Sequence, residues 1–166
     1  MNWRIEEKEA FAVFGMEKPP GESPAAFWTQ CYQAGLYQKL FHDAGGAGDP
    51  DREAPGVGIV NGMANYEAMG DYMIFAFVRA GCRTEGYKVV QVPRSAWAVF
   101  RGKEAKDPGK EAKDPGKQIP KLFAQAYKKW LPSSGYVRAA GPDMELYSVT
   151  ESGNFCDEVW VPVRKK

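Results

Sequence analysis

The chain has 166 residues, 44% of them hydrophobic and 26% charged, with a formal net charge of +1. That size and composition suit a globular domain with a sizeable core. They carry neither the basic excess of a nucleic-acid-binding surface nor an apolar run near the roughly 20 residues of a membrane span.

Met1 to Glu9 is mostly charged and lacks the apolar segment of a secretory leader, so a cytoplasmic location is expected. Phe11 to Gly15 reads as the end of a first strand. Pro19, Pro20, Gly21 and Pro24 make a turn, with Ser23 placed to cap a helix. Phe27, Cys31, Leu36, Leu40 and Phe41 recur at helical spacing, with Trp28 beside them. His42, the one histidine, follows as an exposed helix-end residue. Val57 to Val60 and Tyr72 to Val78 read as strands. Tyr66 and Tyr72 flank a glycine-containing segment, Gly62 to Gly70, whose composition marks it as a candidate lid.

In the second half, Val89 to Val92 is extended, Pro93-Arg94-Ser95 turns, and Ala96 to Phe100 forms a strand. The sequence KEAKDPG then occurs twice in tandem, over Lys103 to Gly109 and Lys110 to Gly116. Its near-cancelling charges and Asp-Pro-Gly turns mark residues 103–117 as a surface-loop insertion. Ile119, Leu122, Phe123, Ala126, Tyr127 and Trp130 follow a helical stripe that Pro132 is expected to end. Met144 to Val149 and Glu158 to Val163 close the chain as strands. Cys31, Cys82 and Cys156 are odd in number and far apart, as free thiols are, and a single histidine leaves few ligands for zinc. No metal or cofactor is expected.

Ala10-Phe11-Ala12-Val13-Phe14 and Ala96-Trp97-Ala98-Val99-Phe100 differ at one position, which exchanges one aromatic for another. Each half reads strand, helix, strand, strand, so pseudo-repeats over about 1–86 and 87–166 are expected within one domain. The predicted class is α+β: a pseudo-twofold, mainly antiparallel sheet with two main helices. Two such halves meet in a central groove, a natural place for a ligand.

The run Trp130-Leu131-Pro132-Ser133-Ser134-Gly135-Tyr136, then Gly141-Pro142-Asp143-Met144-Glu145-Leu146-Tyr147, then Glu158-Val159-Trp160-Val161-Pro162-Val163 resembles the DNA gyrase inhibitor-like family. That family includes the effector-binding domains of AraC-type and MerR-type transcription regulators. Val92-Pro93 and Ala96 to Phe100 resemble its mid-chain strand. The resemblance is strong over 87–166 and weaker over 1–86, and the tandem repeat is not a family feature. It implies a groove for small molecules, often hydrophobic and cationic. It also implies a stand-alone protein, since no residues are left for a helix-turn-helix domain.

The family's motif carries a functional acid at the place of Glu145. Alternation puts Glu145 and Tyr147 on one strand face, with Met144 and Leu146 on the other. A carboxylate among aromatic rings is costly unless paired, and a ligand cation would supply the partner. Glu145 on the open, watered face of the sheet is the plain alternative. The expected ligand-binding set is Glu145, Tyr147, Trp97, Phe11, Trp28, Tyr66 and Trp160. Trp97 either lines the groove or fills the core, and Trp130 belongs to the core stripe.

The leading function is therefore uptake of a small hydrophobic, cationic or aromatic molecule, without direct nucleic-acid or membrane binding. A homodimer is compatible with this reading. One alternative, implied by the resemblance, is hydrolysis of strained electrophilic cyclopropane-type compounds with Glu145 as general base. Another is inhibition of a protein partner such as gyrase.

Overall fold

The computed structural model describes residues 2–46, 57–61, 71–104, 118–149 and 155–166. Tyr66, the Gly62 to Gly70 segment and most of the tandem repeat lie outside the described residues.

The described strands form one antiparallel sheet of nine. They are β1 (Trp3–Lys8), β2 (Phe11–Glu17), β3 (Val57–Asn61), β4 (Asp71–Phe77), β5 (Lys88–Val92), β6 (Ser95–Arg101), β7 (Tyr136–Arg138), β8 (Asp143–Val149) and β9 (Phe155–Lys165). The order is β1-β6-β9-β8-β3-β4-β2-β5, with β7 beside β9. Read from either end the order is the same once the halves are exchanged: β1 corresponds to β5, β6 to β2, β9 to β4 and β8 to β3. The twofold axis passes between β3 and β8. Each half therefore opens with a strand that pairs in the other half; β5 covers the expected extended segment Val89 to Val92, while β1 was not expected from the sequence.

The two early strands of each half are nearly continuous. Two residues separate β1 from β2 and two separate β5 from β6, so the register Lys8↔Ser95 passes on to Phe11↔Val92 without a slip. The sheet is thus drawn round on itself. Phe11 of β2 reaches Trp97 of β6, with ring centroids 6.0 Å apart, although four strands lie between them in the sheet order.

This curling creates two apolar faces. Val13, Met73, Phe75, Val92, Trp97, Val99, Met144 and Trp160 pack inside the fold of the sheet. The outer face is covered by helices. Over β2 and β4 lie α1 (Pro24–Gln33) and α2 (Leu36–Asp43), burying Phe27, Cys31, Tyr37 and Leu40 on Phe14, Tyr72 and Ile74. Over β6 and β9 lie α3 (Ile119–Ala124), a π-helical stretch (Gln125–Trp130) and α4 (Leu131–Ser133), burying Ile119, Leu122, Phe123, Ala126 and Trp130.

Three local features differ from the sequence expectation. The stripe from Phe27 to Phe41 is two helices, because Gly35 adopts φ 71° between them, a conformation glycine reaches without steric cost. Pro132 does not end the last helix. The π-helical stretch shifts the register ahead of it, and Pro132 falls in the first turn of α4, where its missing N–H is harmless. The Ser133 hydroxyl donates to Lys129 O at 2.8 Å. The charged N-terminus is a strand because its polar face is neutralised. Lys8 pairs with Glu6 at 2.8 Å, Arg4 pairs with Glu6 and with Glu158, and Lys8 lies 4.2 Å over the Trp160 ring.

Gly15 is needed where β2 meets β4. A Cβ there would stand 1.8 Å from Ile74 O and 2.7 Å from Phe75 Cα, both backbone atoms. Gly15→Ala is expected to cost at least about 2 kcal/mol in urea unfolding, since the ladder itself must move.

Candidate functional site

The strip over β3 and β8, between the two sets of helices, is built by strand alternation. Asp143, Glu145 and Tyr147 share the helix-covered face of β8, while Met144 and Leu146 face the inner core. Glu145 pairs across to Val159 on one side and to Gly58 on the other. Paired residues share a face, so Val159 walls one flank and no side chain stands on the other at Gly58. Beyond Gly58, on β4, come Ile74 and Tyr72 on the same face. Ile59 pairs with Met144. The spacing between halves drifts along the chain: Phe11 matches Trp97, but Phe77 matches Trp160.

Glu145 is 9% exposed. Its Oε2 accepts the Tyr147 hydroxyl at 2.9 Å, and no ion pair joins it to a cation among the described residues. Burial lifts its carboxyl to about 7, against the pull of the Tyr147 hydrogen bond, and the Asp157 charge adds to the rise. Burial and the Glu145 charge push the Tyr147 phenol well up.

Aromatic rings from α1 and α2 close on this carboxylate. Trp28 meets Tyr147 edge-on at 6.2 Å and Tyr37 at 5.8 Å, and Tyr37 stacks on Tyr32 at 5.3 Å. Trp28 Nε1 donates to Tyr72 Oη at 2.8 Å. The rings run from the half-exposed Tyr32 inward to Glu145. Ser23 helps place them by capping α1, its hydroxyl accepting the Ala26 N–H at 3.2 Å.

Asp143, fully buried two residues before Glu145, is differently served. It accepts from Arg138 Nε at 3.2 Å and Nη2 at 3.1 Å and from the Tyr127 hydroxyl of the π-helical stretch. Burial lifts its carboxyl to about 6, against the pull of Arg138. Of the two carboxylates in the row, Asp143 has its cation and Glu145 has none among the described residues.

The structure thus brings Glu145, Tyr147 and Trp28 together and adds Tyr72 and Tyr37, which the sequence reading did not assign to the site. Trp97, Phe11 and Trp160 stand apart. Trp97 is fully buried in the inner core, Phe11 packs on it, and Trp160 donates from Nε1 to Glu158 Oε2 at 2.9 Å on that same inner face. Tyr66 lies outside the described residues. His42 is exposed in the last turn of α2, 3.3 Å from Gly46 O. Among the described residues no cluster of His, Cys, Asp and Glu could hold a metal, and no helix is long and apolar enough to cross a membrane.

The model of the GyrI-like small molecule binding domain matches residues 1–164. A comparison with curated proteins gives no match. Among solved structures, SAV2435 bound to tetraphenylphosphonium is 18% identical, with a TM-score of 0.62 over 99% of this chain and 94% of that one. The EcmrR C-terminal domain is 12% identical, with a TM-score of 0.61 over 99% and 98%. An integron cassette protein of Vibrio cholerae is 15% identical, with a TM-score of 0.61 over 98% and 95%.

Proposed function

Because the chain belongs to the GyrI-like small-molecule-binding family, we propose that it takes up hydrophobic cations, held against Glu145 between the rings of Trp28, Tyr72 and Tyr147. The observation that carries this reading is Glu145 itself: a buried carboxylate with one hydrogen bond and no described cation beside it. Such a group is costly in the empty protein and becomes favourable when a ligand brings the missing charge. Ring faces around it add cation–π attraction and apolar area. A delocalised cation loses little hydration on entering, so its charge is available to Glu145. SAV2435, which shares the fold, is bound to tetraphenylphosphonium, a cation of this kind.

A thermal-shift comparison tests the reading. Methyltriphenylphosphonium is expected to raise the midpoint in proportion to its affinity, and a neutral triphenylmethyl compound of matched size to raise it far less. Equal shifts for both would remove the electrostatic half of the proposal. Tyr147→Phe removes the hydrogen bond that holds the Glu145 proton off. The carboxyl then rises further and is less ionised at pH 7, so cation affinity is expected to fall about two- to fivefold there and to recover by pH 9. Titration calorimetry at both pH values reads this directly.

The value near 7 also favours a second reading, hydrolysis of strained cyclopropane-type compounds, since a general base works best when its pKa lies near the working pH. Glu145 would take a proton from water as the oxygen attacks a ring carbon. The breaking carbon–carbon bond would then be closed by a proton on its other carbon. Mass spectrometry of the recovered ligand separates the readings: a binding protein returns it unchanged.

A further inference from the structure

Tyr72 carries a hydroxyl whose two roles are unequally filled. An indole N–H only donates, so the 2.8 Å contact from Trp28 Nε1 occupies Tyr72 Oη as an acceptor. The phenol's own proton must then point elsewhere, and no described residue accepts it. Tyr72 is only 3% exposed, so its environment offers little bulk water in exchange. Its surroundings are those of the site: burial first, and then the Glu145 charge, press its pKa upward.

Position makes this proton reachable from Glu145. Tyr72 lies on β4 and Glu145 on β8, on one face, with β3 between them. Two strand spacings, with the two-residue offset from Ile74 to Tyr72 along β4, amount to roughly 12 Å. Tyr72 pairs with Val60, two residues along β3 from the Gly58 that faces Glu145, so the two groups lie diagonally across β3 with the glycine beside the line between them. A molecule lying in this strip therefore meets a carboxylate at one end and a phenol proton at the other. Trp28 fixes the second end, because it packs on Tyr147 beside Glu145 and holds the Tyr72 oxygen.

We infer that Tyr72 is a specificity-determining donor: among cations held by Glu145, it favours those that also carry a hydrogen-bond acceptor, such as a carbonyl oxygen. The inference rests on the proposed pairing of Glu145 with a cation and names a second requirement of the same site.

The test uses tetraphenylphosphonium carrying either one acetyl group or one isopropenyl group on a ring, in the ortho, meta and para series. The two groups have nearly the same shape, and only the first accepts a hydrogen bond. Calorimetry on the full chain is expected to show at least one acetyl isomer binding about five- to tenfold tighter than its isopropenyl twin. Tyr72→Phe should bring that ratio to about one, whatever the change in affinity for unsubstituted tetraphenylphosphonium. The acetyl preference in the unaltered protein is a reading that needs no variant to fold. Trp28→Phe, which frees the Tyr72 oxygen but keeps its proton, should retain a preference. If all six compounds bind and no pair differs, or if the preference survives Tyr72→Phe, the role of Tyr72 is wrong while the pairing with Glu145 stands. If no phosphonium binds, the pairing itself fails and the inference with it.

Discussion

Glu145→Gln is expected to lower affinity for hydrophobic cations by at least about 100-fold at pH 8, while matched neutral compounds change by no more than about threefold. The same change is expected to stabilise the empty protein. The folded carboxyl sits at about 7 against an ordinary 4.5. Below pH 4.5 both folded and unfolded states carry the proton and Glu145 costs nothing by this route. As pH rises from 4.5 to 7 the unfolded state releases its proton first, so the folded state loses stability. Above 7 the loss is complete, about 3 kcal/mol on the scale of 1.4 kcal/mol for each pH unit. Glutamine does not titrate. The variant's thermal midpoint should therefore draw ahead of the parent across pH 4.5 to 7 and keep its lead above. A saturating cation should erase that lead by stabilising only the parent. A variant that loses cations and neutral compounds alike would instead mark Glu145 as a shaping residue.

Arg138→Ala is expected to cost about 3 to 5 kcal/mol at pH 8, the usual effect of stripping the partner from a buried charge. Arg138 serves Asp143 through Nε and Nη2 and also donates to Ala139 O at 3.1 Å and Gly141 O at 2.7 Å. One side chain thus ties β7, the turn after it and the start of β8. Without it, fully buried Asp143 keeps only the Tyr127 hydroxyl among these partners. Urea unfolding should show the loss shrink at pH 5, where the now unpaired carboxyl is protonated. Adding Asp143→Asn should recover part of it at pH 8. A loss that is the same at both pH values would point to the lost backbone contacts instead of the charge.

These effects fall on a strand whose reading from sequence needed only alternation. Met144, Glu145, Leu146 and Tyr147 sort into two faces by position alone, and the structure keeps that sorting. Alternation says which residues share a face of one strand. It does not say which face of the whole sheet the helices cover. Trp97 and Phe11 were grouped with Glu145 as aromatics at strand positions, yet they face the inside of the curled sheet. That curl comes from the equal two-residue steps between β1 and β2 and between β5 and β6, and their effect appears only once the pairing is known. Tyr72 was visible as an aromatic at a strand end. Its place on the face that carries Glu145 depends on β3 lying between β4 and β8, a pairing between halves that no local pattern carries. The first strand was hidden for a different reason: Arg4, Glu6 and Lys8 look like a solvated arm until Glu158 and Trp160 are brought opposite them. The change of helix at Gly35 could have been read from the glycine. The passage of the last helix through Pro132 could not, since it depends on the π-helical register before it.

The pairing of Glu145 with a cation is tested most directly by titrating the Glu145 carboxyl carbon by NMR, in protein labelled at glutamate side chains, with and without saturating tetraphenylphosphonium. Glu145→Gln identifies the resonance by its loss. The empty protein should titrate near 7, and the bound cation should hold the carboxyl ionised and move its midpoint down by at least about two units. A midpoint that the bound cation leaves unmoved would place the ligand's charge away from Glu145 and contradict the account.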